Sequence, residues 1–194
     1  MSIALVILAA GKGTRMQSDL PKVLHEIAGA PMLVHTMVAG QSLDPERCII
    51  IAGHGADSVR DVVQNHNSDA EFILQTEQLG TGHAVDQARD TLAGFIGNVI
   101  VLYGDSPLIQ AETLKTLNAS LSHSAVTVLG FEAKDPGRYG RLITNDDNLK
   151  RIVEFKDASD AEKSMNLCNS GVMAVAAPLL FELLSEIDNE NASG

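Results

Sequence analysis

Three short stretches of the chain carry residue types suited to holding a small polyanion. In the first, GKGTR at 11–15 and LPK at 20–22 supply Gly11 and Gly13 together with the cations Lys12, Arg15 and Lys22. Glycines let the backbone come close to a ligand, and the cations can neutralise phosphate oxygens. Their gathering is informative because the chain has a formal net charge of −11, so this positive charge runs against the background. A solvated turn between a strand and a helix accounts for the same glycines, and the loop alone leaves both readings open.

The second stretch is YGDSP at 103–107, where Asp105 follows an apolar run. Mg²⁺ takes hard oxygen ligands, commonly one or two carboxylates plus substrate phosphates, so a single well-placed Asp can anchor it. The competing reading is a helix N-cap, Asp105 or Ser106 ahead of Pro107. In the third stretch, QTEQLGTGHA at 75–84, Gly80 and Gly82 flank Thr81, and Gln75 and Gln78 bring amides that carry both a donor and an acceptor for the edge of a base. Alternatively Gly80 ends a turn and Thr81 caps the next helix, which leaves Gly82 unexplained. His83 invites an acid/base role, but transfer to an already ionised phosphate needs no base, and an orienting or packing role is expected. Later in the chain stand Gly140 in RYGR, Glu154 in IVEFKD and Asn169 in CNSG. Carboxylates and amides of this kind hold hydroxyl-rich sugars, and ordinary surface polarity is their alternative.

These stretches need a scaffold. The run at 3–10 reads as a buried parallel strand, and NVIVLY at 98–103 as another; 48–52 and 71–74 are shorter strands. Helical spacing is found over 31–41, with Met32, Val34, His35 and Val38 toward the core, and over 56–64 and 81–92. Alternation of this kind predicts an α/β fold, a mainly parallel sheet with helices on both faces. Ligands of such sheets sit beyond the carboxyl ends of the strands, where Asp105 falls. After about residue 124 the pattern changes to strands at 125–131, 140–144, 149–154 and 167–175, divided by turns at 135–137 and 146–148. The closing DNENASG has the composition of a loop.

Composition narrows the partners. An acidic chain argues against nucleic acid, whose affinity comes mainly from Lys and Arg, and against an anionic lipid surface. No run approaches the ~20 apolar residues of a membrane span. The eight-residue apolar start lacks the basic residues of a signal peptide. Cys48 and Cys168, far apart and without close pairs, read as buried thiols of a reducing, cytoplasmic compartment.

Taken together, LAAGKGTRM at 8–16, SDLPKVL at 18–24, QLGTGHA at 78–84, YGDSP at 103–107 and YGR at 139–141, in this order, resemble the uridylyltransferase domain of the bacterial bifunctional N-acetylglucosamine-1-phosphate uridylyltransferase and glucosamine-1-phosphate acetyltransferase family. The resemblance covers essentially the whole chain. It implies a GT-A-like, Rossmann-related nucleotidyltransferase fold, and formation of UDP-N-acetylglucosamine and pyrophosphate from UTP and N-acetylglucosamine-1-phosphate, with Mg²⁺, for peptidoglycan precursor synthesis. Leu8, Ala9, Ala10, Gly11 and Gln75 would then contact uracil, with Gly80 and Thr81 completing the base site. Arg15 and Lys22 would face the phosphates, Asp105 would hold the metal, and Tyr103 and Gly104 would bind substrate. Gly140, Glu154 and Asn169 would bind the N-acetylglucosamine moiety. The resemblance further implies one uridylyltransferase-like domain over 1–194, cut short at its C-terminal end, without the family's second metal ligand, an Asn, and without its β-helical acetyltransferase domain. Two other expectations stay open: a nucleotide-sugar-binding fragment with little catalysis, and a transferase for another sugar phosphate.

Overall fold

The computed structural model describes residues 1–11, 13, 16–146 and 148–187. In chain order the elements are β1 (Ser2–Ala9), a 3-10 turn (Lys22–Leu24), the two-residue strands β2 (Glu26–Ile27) and β3 (Ala30–Pro31), α1 (Met32–Gln41), β4 (Arg47–Ala52), α2 (Ala56–His66), β5 (Glu71–Leu74), α3 (Thr81–Asp86), β6 (Gly97–Tyr103) and α4 (Ala111–Ser120). Then follow β7 (Val126–Glu132), β8 (Arg141–Asn145), β9 (Asn148–Val153), α5 (Asp160–Lys163), β10 (Leu167–Ala176) and α6 (Ala177–Ser185). The described residues fall into two compact units, one of 1–127 with 173–187 and one of 128–172.

In the first unit β5, β4, β1 and β6 lie side by side in that order, all parallel. Residues 173–176 of β10 add an antiparallel segment beside β6, so the sheet is mixed but mainly parallel, as expected. The apolar runs of β1, β4 and β6 are solvent-free because helices cover both faces of the sheet. On one face Ala4, Val6 and Leu8, with Ile49, Ile51, Val99 and Val101, pack against Ala84 and Val85 of α3 and Leu180 of α6. On the other, Leu5 and Leu102 meet α1 at Gly40, where a Cβ would sit 2.6 Å from the Leu5 side chain.

The buried face of α1 differs from the expected one. Met32 is buried as expected, but Leu33, Thr36, Met37 and Gly40 turn inward beside it, Val34 and His35 are half-buried, and Val38 is 53% exposed. Apolar side chains all round this helix hide its periodicity, and the close approach at Gly40 sets its rotation. The expected helix over 81–92 is also shorter, because α3 ends at Asp86 and turns follow. The His83 carbonyl, which Gln87 N–H would bond in a continuing α-helix, accepts instead from the Gln87 side chain at 3.2 Å.

In the second unit β8 and β9 form an antiparallel hairpin with an irregularity at Ile143/Thr144, and Arg141 of β8 pairs with Cys168 of β10. Arg141 is 1% exposed and reaches the carbonyls of Tyr139, Gly137 (3.2 Å) and Lys163 (2.9 Å). It thereby pins the loop that leads into Gly140. A capping box between Ser159 and Glu162 starts α5, and the Ser159 hydroxyl and N–H hold the Glu162 carboxyl below its usual range. Asp147, within the turn expected at 146–148, and 188–194, the expected closing loop, lie outside the described residues.

Candidate functional site

The parallel strands of the first unit end in step. Leu8 is opposite both Ile51 and Tyr103, and Ala52 is opposite Leu74. From β1 the chain builds outward through β4 to β5, then crosses to β6 on the other side of β1. That reversal is the topological switch point at which open α/β sheets bind ligands. A cavity of about 300 Å³ opens there, and the register partners Leu8 and Tyr103 both line it.

The loop after β1 supplies Ala10 and Gly11 to the same wall, and a Cβ at Gly11 would meet nothing within 4 Å. Gly13, at φ +57°, passes so close to Lys22 that a Cβ would stand 2.7 Å from the lysine Cβ. The tight loop and the cation are thus one arrangement. Lys22 leads the 3-10 turn and its Nζ forms an ion pair with Asp105 Oδ2, both side chains lining the cavity. Asp105 is not a helix cap: α4 begins at Ala111 with Gln110 as its N-cap. Residues 103–106 make a turn, closed by Ser106 N–H to the Tyr103 carbonyl at 3.0 Å. Lys12 and Arg15, expected beside the phosphates, lie outside the described residues.

Gln75, Gly80 and Thr81 also line the cavity. Gln75 is buried, and its N–H still donates to the Ala52 carbonyl at 2.7 Å, so the sheet fixes its backbone. Gly80, at φ 110°, is the N-cap of α3 and Thr81 the first helical residue, so Thr81 is no cap either. Gln78 Nε2 donates to the Ala10 carbonyl at 2.7 Å and ties this loop to the one after β1. Val23 and Ala84 complete the lining; sequence reasoning missed both, although each adjoins a residue that it named. Ala9, one residue from Leu8, points to the other face of the sheet. Gly104 binds the ends of β1 and β6 together through its N–H to the Leu8 carbonyl at 2.9 Å. Neither lines the cavity. The His83 ring stands between two amides, Nδ1 3.0 Å from Gln75 Nε2 and Nε2 3.1 Å from Gln87 Nε2.

In the second unit Gly140, Glu154 and Asn169 come together. The Gly140 carbonyl accepts from Asn169 N–H at 2.8 Å, and a Cβ at Gly140 would lie 2.9 Å from Glu154 Oε1. Asn169 Oδ1 accepts from Gly171 N–H at 2.9 Å. Three residues far apart in sequence are therefore neighbours.

Among the described residues no group of three or more His, Cys, Asp or Glu is arranged to hold a metal. Asp105 nevertheless suits a hard divalent ion that takes one or two carboxylates and completes its shell with phosphate oxygens. Hard oxygen, positive charge and a cavity walled by amides and glycines can together bind a nucleoside polyphosphate. No helix among the described residues is long and apolar enough to cross a membrane, and Cys48 and Cys168 are free, buried thiols.

The model of the MobA-like NTP transferase domain matches residues 5–190. A bifunctional protein GlmU from Ruegeria sp. (strain TM1040) is 59% identical over all 194 residues, and the chain spans 43% of its length. HddC from Yersinia pseudotuberculosis, solved in complex with GMP-PN, is 28% identical with a TM-score of 0.70, covering 94% of this chain and 80% of that one. A UDP-glucose pyrophosphorylase complexed with UDP-glucose superposes with a TM-score of 0.79 at 20% identity, over 100% of this chain and 83% of that one, a likeness of fold.

Proposed function

The chain belongs to the MobA-like NTP transferase family, and on that premise we propose that it transfers a uridylyl group from UTP to N-acetylglucosamine-1-phosphate. The products are UDP-N-acetylglucosamine, a cell-wall precursor, and pyrophosphate. The observation that carries the reading is the cavity at the switch point, lined together by the Lys22–Asp105 pair and by Gln75, Gly80 and Thr81. The 59% identity to a bifunctional protein GlmU supports the choice of substrates.

In the proposed reaction a phosphate oxygen of the sugar phosphate attacks the α-phosphorus of UTP. A P–O bond forms, the bond to the β-phosphate oxygen breaks, and pyrophosphate leaves with its electron pair. No proton need move. Catalysis is then a matter of in-line placement and of neutralising charge. Gln75, with Leu8, Ala10, Gly11, Gly80 and Thr81, seats the uracil, and Lys22 and Arg15 neutralise the triphosphate. Tyr103, Ala9 and Gly104 shape and brace the strand ends from which this site grows. Gly140, Glu154 and Asn169 hold the sugar. Mg²⁺, bound through Asp105, supplies further charge neutralisation at the phosphates. The reading places the protein in the cytoplasm, with residues 1–194 forming a uridylyltransferase-like domain.

Pyrophosphate release from UTP and N-acetylglucosamine-1-phosphate with Mg²⁺ tests this directly. Turnover is expected, and its absence in folded protein overturns the reading. Replacing UTP by CTP or TTP, and the sugar phosphate by glucose-1-phosphate, checks the choice of substrates.

A further inference from the structure

Resting on that reading of the cavity as a base site, we infer that His83 is a positioning residue: it fixes which end of the Gln75 amide faces the base. The fixed end selects a pyrimidine bearing a carbonyl, rather than an amino group, at that edge.

Both amide nitrogens face the ring, Gln75 Nε2 at 3.0 Å from Nδ1 and Gln87 Nε2 at 3.1 Å from Nε2. A neutral imidazole accepts at only one nitrogen and donates from the other. One of the two amides must therefore turn over. Gln87 is held, because the same nitrogen donates to the His83 carbonyl at 3.2 Å, a group that can only accept. Turning Gln87 would set two oxygens against each other. The second hydrogen of Gln87 Nε2 thus goes to the ring Nε2, and the His83 proton resides on Nδ1. Nδ1–H needs an acceptor, so Gln75 gives the ring its Oε1.

The Gln75 NH₂ is then the end left for the cavity that this residue lines. An NH₂ there donates to the carbonyl of uracil or thymine and opposes the exocyclic amino group of cytosine. An amide free to turn would accept either base; one held by His83 does not. Leaving a buried donor against another donor is the means by which such sites reject a near-isostere. The short α3 makes this possible, since its last turn releases the His83 carbonyl to the Gln87 side chain.

Two measurements on the 194-residue chain decide the matter. The first is ¹⁵N NMR of histidine-labelled protein at about pH 8.5, with the His83 ring identified by its loss in His83→Phe. The Nδ1–H tautomer is expected, and Nε2–H overturns the assignment. The second is calorimetric binding of UTP and CTP to the wild type and to His83→Phe, which keeps an aromatic ring without its nitrogens. The preference for UTP is expected to fall about tenfold, mainly through tighter CTP binding. An unchanged ratio in folded variant protein overturns the inference. Should His83→Phe not fold, Gln87→Leu frees the tautomer and is expected to narrow the same ratio; an unchanged ratio there also overturns it. Wild type that binds neither nucleotide defeats the function proposed above, while the tautomer still decides the role of His83.

Discussion

Asp105 and Lys22 hold each other at the mouth of the cavity through an ion pair whose side chains are 29% and 41% exposed. Pairs this open contribute little to stability, about 0–1 kcal/mol. Asp105→Ala is therefore expected to abolish Mg²⁺-dependent pyrophosphate release while lowering unfolding free energy by less than about 1 kcal/mol, read from paired assay and urea curves. A variant that keeps its turnover per folded molecule contradicts the role. Lys22→Ala is expected to raise the Kd for UTP about tenfold or more, in line with loss of a charge-assisted contact, with little change in melting temperature; unchanged affinity by calorimetry refutes it. Both residues were legible as candidates, because cations on an acidic chain and a lone Asp after an apolar run are visible without coordinates, and the structure pairs them at one cavity. What the sequence left open was the cap at Asp105, since DSP satisfies the cap rule. The structure resolves it by starting α4 six residues later. The ring of His83 was legible only as a packing or orienting group, because its two amide partners come from the end of β5 and the end of α3, which no local pattern brings together.

At the scale of elements, strands were read more faithfully than helices. β1, β4 and β6 are apolar, β-branched runs, buried on both faces, whose identity needs no knowledge of their neighbours. Helix α4 escaped notice because only Leu114 and Leu117 are buried and no side chain caps it. Helix α6 is likewise uncapped by any side chain; Pro178 near its start was a usable signal. The rotation of α1 depends on Gly40 against Leu5, a contact between elements rather than a local preference. Elements of the second unit meet in a similar way at Gly140, where β8, the end of β9 and β10 converge. In Gly140→Ala the new methyl would sit 2.9 Å from Glu154 Oε1, and the carboxylate has to move. The KM for N-acetylglucosamine-1-phosphate is expected to rise several-fold while that for UTP stays level, because small misplacements of a positioning group weaken substrate placement. Steady-state kinetics with each substrate varied in turn makes the comparison, and equal effects on both KM values count against a sugar role for this cluster.

For the whole molecule, the change from alternating strands and helices to consecutive strands near residue 124 lies close to the division between the units after Thr127. Global stability carries a pH signature from the core of the first unit. Burial, and secondarily the Glu71 carboxylate, pushes the Cys48 thiol from 9.0 up to about 11. Unfolded chains lose this proton first, so above pH 9 the native state binds more protons than the unfolded one and stability falls with rising pH. The contribution is complete below pH 9 and is lost as pH climbs through about 11, on the order of 2–3 kcal/mol. Urea titrations of wild type and Cys48→Ala across that window are expected to converge as pH rises; parallel curves would falsify the assignment. The in-step ending of the parallel strands has a metric consequence as well. From β5, which delivers Gln75, to β6, which delivers Asp105, the sheet edge runs three inter-strand spacings, about 14 Å. On the proposed function the hydrogen-bonded backbone would act as a ruler laid along the nucleotide, with the base gauged at the β5 end and the phosphates at the β6 end. Its divisions are inter-strand hydrogen-bond spacings that no side-chain substitution rescales, so changes in ligand length must be met by the loops alone.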